Sequence, residues 1–340
     1  MKKKVLAAFL TLVLVLGLAL AGCGNDDSSS GTDTDSGEAV ADDYTVRIAY
    51  GSSLCHAALH VAIENGYFEE EGINFEAVPL DSSQTVDGAA SGTVDAGAGL
   101  IGKFGQPLEN GLTIKLVAGL HAGCIKIVTT ADSGITSVAD LKGKRIGVAA
   151  LADSPAAVAK RALETAGIDT GAANPEVEFV IFPNADLPAA LENGSIDAYA
   201  ALDPAVSIAA RDNGYTIILD TSKDEPFASE YCCAAFVTDK FAEEHPELAA
   251  AYTRAVVKAA QWVGEHPEET VKLQLEKQYI TGDEELLVEL IKDYRFGDAD
   301  ADAVYESLLV NLQELQIIGI LKEETDVEAL AERAYLKTTE

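Results

Sequence analysis

From Tyr44 onward the sequence alternates short β-rich runs with helical stretches. This alternation, met twice in succession, restricts the chain to a parallel α/β architecture. In the first round Tyr44–Tyr50, Ile73–Pro79, Val94–Ala96 and Thr113–Ala118 read as strands, with helices over His56–Asn65 and Thr85–Ser91. In the second, Arg145–Ala149, Val177–Phe182, Ile196–Ala200 and Tyr215–Leu219 read as strands, with helices over Ser154–Ala166, Asp186–Glu192 and Pro204–Asn213. Each round can build its own sheet. Tyr231–Thr238 reads as one more strand, after which the pattern turns helical: Pro246–Gly264, Pro267–Tyr279, Glu284–Asp293, Ala301–Ile317 and Val327–Tyr335. Proline in the first turn, or an acidic residue near it, marks several of these starts.

The segment ahead of Tyr44 follows a different logic. Met1 and three lysines precede an apolar run from Val5 to Leu20, which ends in Leu20-Ala21-Gly22-Cys23 and a polar tract. A basic start, a short apolar stretch and a small-residue cleavage site are the marks of a secretory signal. The tetrad resembles the lipobox of bacterial lipoproteins, which implies that residues 1–22 are a lipoprotein signal peptide and that Cys23 becomes the acylated first residue. The expected location is the extracytoplasmic face of the cell membrane, held by lipid. The competing reading is an uncleaved anchor with a free Cys23 beside it. Gly24–Asp43 offers almost nothing to bury, so residues 23–43 read as a disordered tether. No later apolar run has the length of a membrane span.

The formal charge is −32, and removal of residues 1–22, with three lysines and no acid, brings it to −35. So acidic a surface repels phosphate backbones and excludes nucleic acid as a partner. The remaining ~300 residues suffice for one large or two medium cores.

More specific signals follow. Ala58-Leu59-His60-Val61-Ala62 and Gly66-Tyr67-Phe68-Glu69-Glu70-Glu71-Gly72 come first, then Asp140-Leu141-Lys142-Gly143-Lys144-Arg145-Ile146-Gly147-Val148, then Asp203-Pro204, then Asp239-Lys240-Phe241 with His245-Pro246-Glu247. In this order and spacing they resemble the solute-binding proteins of bacterial ABC importers for nitrate, taurine, alkanesulfonates and thiamine precursors, over most of the chain from Tyr44 to about Gly264. The resemblance implies a two-lobed, periplasmic-binding-protein-like clamp of type II. Each lobe is then an α/β sandwich, with the ligand in the interlobe cleft and a helical C-terminal part. Lobe one is expected over residues 44–129 plus 231–340, and lobe two over 130–230. The expected partners are a small ligand and an ABC permease, and the expected state is a monomer.

Read by themselves, several of these residues are architectural. Ser137 can cap a short helix, Gly143 can end it in the left-handed conformation, and Lys142, Lys144 and Arg145 sit near its negative end. Gly66 and Gly72 end a helix and shape a turn.

Parallel α/β sheets present ligand sites at the carboxyl ends of their strands, where helices begin. That rule selects Gly51–His56, Gly97–Ile101, Gly119–Cys124, Leu151–Pro155 and the region of Asp203, and the resemblance adds the crossover strand at Tyr231–Cys233. The candidate ligand contacts are therefore Ser53, Cys55, His56, Leu100, His121, Cys124, Ser154, Asp203, Tyr231, Cys232 and Cys233. The segments contain no arginine or lysine, which disfavours a dianionic ligand. The glycine-rich run Gly88–Gly102 lacks dinucleotide-binding spacing and reads as a loop that lets backbone approach a ligand.

These segments hold every cysteine other than Cys23. Thiolate and imidazole form a soft donor set, so Cys55, His56, Cys124, Cys232 and Cys233 could ligate zinc, copper(I) or an iron–sulfur unit. Disulfides, a vicinal Cys232–Cys233 bridge and plain packing stay open beside ligation, because no Cys-x-x-Cys spacing is present. His56 and His60 stand four apart and could share a helix face, but His60 reads as a satisfied core histidine. Cys232-Cys233 is similar to, but shorter than, the cysteine-rich stretch of the thiamine-pyrimidine branch. No catalytic-triad order, zinc-protease helix or phosphate loop occurs in a suitable context, so the sequence points to no enzyme. The expected function is a lipid-anchored solute-binding protein for a small ligand, with a metal-containing or sulfur-containing compound within the range. The alternatives are a thiamine-pyrimidine-synthesis-like protein using cysteine-bound iron and a metal scavenger without a permease.

Overall fold

The computed structural model describes residues 44–80, 84–171, 173 and 175–337. The expected signal peptide, Cys23 and the tether lie outside them. Among the described residues ten strands form two five-stranded sheets. The first uses β1 (Thr45–Tyr50), β2 (Asn74–Pro79), β3 (Ala96–Leu100), β4 (Ile114–His121) and β10 (Cys233–Thr238), in the order β2-β1-β3-β10-β4. The second uses β5 (Ile125–Thr129), β6 (Arg145–Val148), β7 (Glu178–Ile181), β8 (Ala198–Leu202) and β9 (Thr216–Asp220), in the order β7-β6-β8-β5-β9.

The two sheets share one plan. β1 runs parallel to β2 and β3, as β6 runs parallel to β7 and β8. The fourth strand in each order is antiparallel to its neighbours and arrives from the other half of the chain: β5 directly after β4, β10 after β9. The chain therefore crosses between sheets twice, at residues 122–124 and at 221–232, which is the two-lobed clamp the resemblance implies. The second sheet's first strand, in chain order, begins at Ile125, a little ahead of the Thr130 boundary expected for the second lobe.

The same polar lock appears in both sheets. Arg47 of β1 donates from Nε and Nη2 to the Asp95 carboxylate just before β3. Arg145 of β6 does the same to Asp197 just before β8. Such paired donation to one planar carboxylate fixes strand position as well as charge. Asp153 accepts from the Ala156 N–H and starts helix Ser154–Thr165, while Ser137 and Asp140 form a reciprocal cap. Gly143 follows at φ 76°, as the Asp140–Val148 reading expected.

The C-terminal helices Pro246–Glu265, Pro267–Glu276, Glu284–Tyr294, Val304–Ile317 and Val327–Arg333 belong to the first sheet. One face packs Leu59, Val61, Tyr252 and Val256, and the other packs Phe104, Phe236, Leu308 and Leu312. Among the described residues no helix is long and apolar enough to cross a membrane.

Two elements are missing from the sequence reading. Ile125–Thr129 is a fully buried strand even though it carries Lys126. Residues 101–109 form a helix even though they include Gly102, Gly105 and Pro107. A Cβ at Gly105 would stand 2.4 Å from Leu315 Cδ1, so its absence lets helix Val304–Ile317 close onto this one. Packing therefore overrides weak helix propensity. The glycine-rich run is corrected too. Gly97 and Gly99 lie within β3, where an added Cβ would come within 3.1 Å of the Phe236 ring and 3.0 Å of Phe104. These glycines make room for aromatic packing.

Candidate functional site

A small cavity of about 50 Å³, partly open to solvent, lies between the strand ends of the two sheets. The turn after β1 supplies Ser53, Cys55 and His56, β3 supplies Leu100, and β10 supplies Cys233. Leu202 and Asp203, at the end of β8, come from the second sheet. The cavity is thus bordered by both sheets, as strand-end logic expects. Four further lining residues, Thr85, Val86, Lys103 and Phe104, were not anticipated. Lys103 lies in the first turn of helix Ile101–Glu109, two residues past the selected segment. The expectation of a cleft without lysine is corrected accordingly.

Ser53 caps the short turn through the Cys55 N–H, at 3.1 Å, and so fixes the Cys55 backbone. His56 Nδ1 accepts from the Gly51 N–H at 2.5 Å, while His60 Nε2 donates to the Gly51 carbonyl at 3.0 Å. Two histidines four apart thus grip one residue rather than chelate an ion. His60 Nδ1 accepts from Gln274 at 2.8 Å and its ring stacks on Tyr279, so it is a satisfied core histidine. Burial lowers the His56 imidazole to about 4 and the His60 imidazole to about 3, leaving both neutral.

Behind the cavity wall lies a thiol cluster. The Sγ atoms of Cys55, Cys124 and Cys233 all fall within 4.8 Å of one another. Cys232 Sγ is 3.4 Å from Cys124 Sγ. All four are free thiols, and only Cys232 is not fully buried. Topology explains the convergence: Cys124 lies in the first crossover, Cys232 in the second, and Cys233 opens β10 opposite His121 of β4. A register shift between Cys233 and Ala234 accompanies this convergence.

The thiols divide into two kinds. Hydrogen bonds from Cys124 and Cys233 hold the Cys55 thiol well below its ordinary value, against burial. Cys232 is lowered by Cys124 first, with Cys233 and His121 assisting. Cys124 is pushed well above, chiefly by donating to Cys232, and Cys233 is raised mainly by burial. Two lowered thiols are therefore flanked by two raised ones. Burial disfavours the His121 cation, but the neighbouring Cys55 and Cys232 outweigh burial and raise this imidazole.

Two polar atoms at this cluster lack protein partners. His121 Nδ1 faces the Ala122 carbonyl at 2.5 Å, but its Nε2 is buried with no hydrogen-bond partner. Tyr294 stacks on the His121 ring at 5.2 Å, and its hydroxyl is likewise buried and unpartnered. Unpaired buried polar atoms are costly and rare. Here they stand beside soft donors. Tyr294 lies in a C-terminal helix far in sequence from any selected loop, and no local signal marks it.

Tyr231 and Ser154 fall outside the cavity lining, whereas Asp203 belongs to it. Tyr231 lies over Gly119, where a Cβ would meet its ring at 2.4 Å, and its hydroxyl donates to the Asp298 carbonyl at 2.5 Å. Ser154 is buried at the start of its helix, with an unpartnered Oγ that a Cβ at Gly102 would approach to 3.7 Å. Asp203 is engaged by Lys126 at 2.7 Å and by Ser207 at 2.5 Å.

The family model described as NMT1/THI5 like matches residues 54–270. A putative aliphatic sulfonates-binding protein of Bacillus subtilis (strain 168) is 29% identical over 236 residues, 67% of this chain and 68% of that one. A formylaminopyrimidine-binding protein of Halalkalibacterium halodurans is 25% identical over 252 residues, 72% of this chain and 73% of that one. The crystal structure of the periplasmic aliphatic sulphonate binding protein SsuA from Escherichia coli superposes with a TM-score of 0.72 at 17% identity, covering 87% of this chain and 92% of that one.

Proposed function

The chain belongs to the NMT1/THI5-like family and is a solute-binding protein of the ABC-importer type, and from this we propose that it captures a thiophilic small ligand, a metal-bearing or sulfur-bearing compound, between its two lobes. Cys23 carries the lipid anchor, the lobes close on the ligand as a clamp, and a permease receives it from the monomeric protein. The single observation that supports the choice of ligand is the thiol cluster. Three sulfurs within 4.8 Å of one another, with a fourth 3.4 Å from Cys124 Sγ, form one soft donor set, of which Cys55 and Cys233 line the cavity. Soft cations and metal complexes prefer such donors to carboxylates or carbonyls.

The relatives bear on this reading by contrast. The two relatives are named for binding aliphatic sulfonates and formylaminopyrimidine. In this chain Lys103 and the adjacent helix start could meet an anionic group, but neither ligand class calls for buried thiols. A ligand that combines an anionic edge with a soft centre uses both features of the cavity.

Native mass spectrometry with elemental analysis of full-length protein purified without oxygen tests the proposal. The expected result is one retained metal-bearing or sulfur-bearing ligand per chain, lost from the Cys232→Ser, Cys233→Ser double variant while the melting temperature of the empty protein stays nearly unchanged. The same ligand retained equally by both proteins would refute a role for these thiols. The cysteine cluster also supports a second reading, a thiamine-pyrimidine-synthesis-like protein with cysteine-bound iron. Turnover of a bound pyrimidine precursor during purification separates it from a carrier.

A further inference from the structure

The two segments that carry the chain between sheets touch closely. Gly123, in the first crossover, leaves no space for a side chain: a Cβ there would stand 2.2 Å from Thr221 Oγ1 and 2.3 Å from the Thr221 carbonyl carbon, at the start of the second. Thr221 donates from its hydroxyl to the Ile125 carbonyl at 2.8 Å, and its Oγ1 accepts from the Ile125 N–H at 3.0 Å. At the other end of the second crossover the Cys232 N–H donates to the His121 carbonyl at 2.9 Å. Between these backbone bonds the Cys124 and Cys232 sulfurs face each other at 3.4 Å, each on its own crossover.

We propose that Cys124 and Cys232 are a reversible disulfide site that staples the two crossovers together and removes Cys124 from the soft donor set. A disulfide needs an S–S distance of about 2.05 Å, so the sulfurs must approach by roughly 1.4 Å, within reach of side-chain rotation on backbones already held together. Cys232 is the half-buried residue of the pair, whereas Cys124 is buried. The oxidant is an external disulfide. The Cys232 thiolate attacks one of its sulfurs, forms the mixed disulfide and expels one thiolate. Cys124 gives its proton to solvent or to the departed external thiolate, the Cys124 thiolate attacks Cys232 Sγ, and the second external thiolate leaves. Two protein thiols are oxidised, one external disulfide is reduced to two thiols, and the protons pass to those thiols or to solvent.

The site does not depend on the identity of the ligand, but it acts on the cluster that would hold a thiophilic one. With Cys124 bridged, the triad of Cys55, Cys124 and Cys233 is reduced to two thiols, and the linked crossovers resist relative motion of the sheets.

Reduced full-length protein is incubated with oxidised glutathione, alkylated in denaturant and mapped as unreduced peptides, with cadmium uptake followed by thiolate-to-metal absorption. The expected product is a Cys124–Cys232 link with Cys55 and Cys233 alkylated, and cadmium binding at least tenfold weaker until dithiothreitol restores it. Cys55→Ser still forms the link, whereas Cys232→Ser forms no internal bridge. A vicinal Cys232–Cys233 bridge, a Cys55–Cys233 bridge or four alkylated cysteines after oxidation overturns the proposal, as does undiminished cadmium binding by the linked protein. If the link forms in protein that never binds cadmium, the staple stands and the thiophilic-ligand reading fails. If cadmium binds tightly and no link forms, the opposite holds.

Discussion

Lys126 and Asp203 form a buried ion pair under the second-sheet wall of the cavity, with Nζ 2.7 Å from Oδ2. Asp220 Oδ2 lies 3.6 Å from the same ammonium and Ser207 Oγ 2.8 Å away. Burial already pushes the Asp203 carboxyl above its ordinary range, and Lys126 opposes that push. Lys126→Met leaves both carboxylates without this cation. The expected loss is about 3–5 kcal/mol by urea denaturation at neutral pH, shrinking as acid protonates Asp203. A loss below about 1 kcal/mol is the scale of an exposed pair and would contradict the buried one.

Stability should fall on mild acidification because of two histidines. An unfolded imidazole protonates near 6.5, whereas folded His56 and His60 stay neutral down to about 4 and about 3. The unfolded chain therefore binds more protons in that interval. The stabilisation is complete above 6.5 and is lost as pH falls toward 4, at up to about 1.4 kcal/mol per pH unit for each histidine. His56→Asn keeps an oxygen to accept from Gly51 and should remove one proton's share of the slope. Denaturation midpoints across the range check this, and an unaltered slope in the variant would assign the effect elsewhere.

Gly123→Ala should separate the crossovers. The new Cβ would fall 2.3 Å from a backbone carbon of Thr221, which cannot swing away as a side-chain tip can. Destabilisation of about 1–3 kcal/mol is expected from such overpacking. Slower formation of the Cys124–Cys232 link should accompany it. A neutral effect on both readouts would mean that the crossovers are not tightly packed.

A metal that binds the thiol triad must displace protons, because Cys124 and Cys233 are held protonated in the empty cluster. Cadmium loading should release about two protons and weaken as pH falls. Calorimetry in buffers of different ionisation enthalpy measures the number directly. Heats that do not depend on the buffer would exclude thiolate ligation.

Cys23→Ser should move the protein from the membrane to the soluble fraction and leave the melting temperature of the globular part unchanged. An acyl chain contributes about 0.8 kcal/mol per buried methylene, so its loss dominates partitioning. Unchanged membrane fractionation of a correctly cleaved variant would count against the anchor.

The two-sheet plan was legible because it rests on local pattern. The strands at Thr45–Tyr50, Asn74–Pro79, Arg145–Val148 and Glu178–Ile181 stand where β-rich runs stand in the sequence. A further signal is visible there: Gly92-Thr93-Val94-Asp95-Ala96 and Gly194-Ser195-Ile196-Asp197-Ala198 are near-repeats, and their aspartates form the equivalent locks with Arg47 and Arg145. The cleft segments were selected by a rule about strand ends, which needs only strand order and direction. Lys103 escaped because helix 101–109 exists through packing against Leu312 and Leu315, more than two hundred residues away, and not through its own propensity.

The sequence by itself determined the rhythm of elements, the strand ends where a ligand site belongs, and which cysteines and histidines sit on them, because each is a property of neighbours in the chain. Tertiary structure alone decided which of those residues meet. It brought Cys124 to Cys232 across 108 positions and turned His56 and His60 toward one residue, Gly51. It also placed Tyr294 on His121 and buried Lys126 between two carboxylates. These contacts depend on two crossovers closing side by side, a long-range event whose geometry no local periodicity encodes.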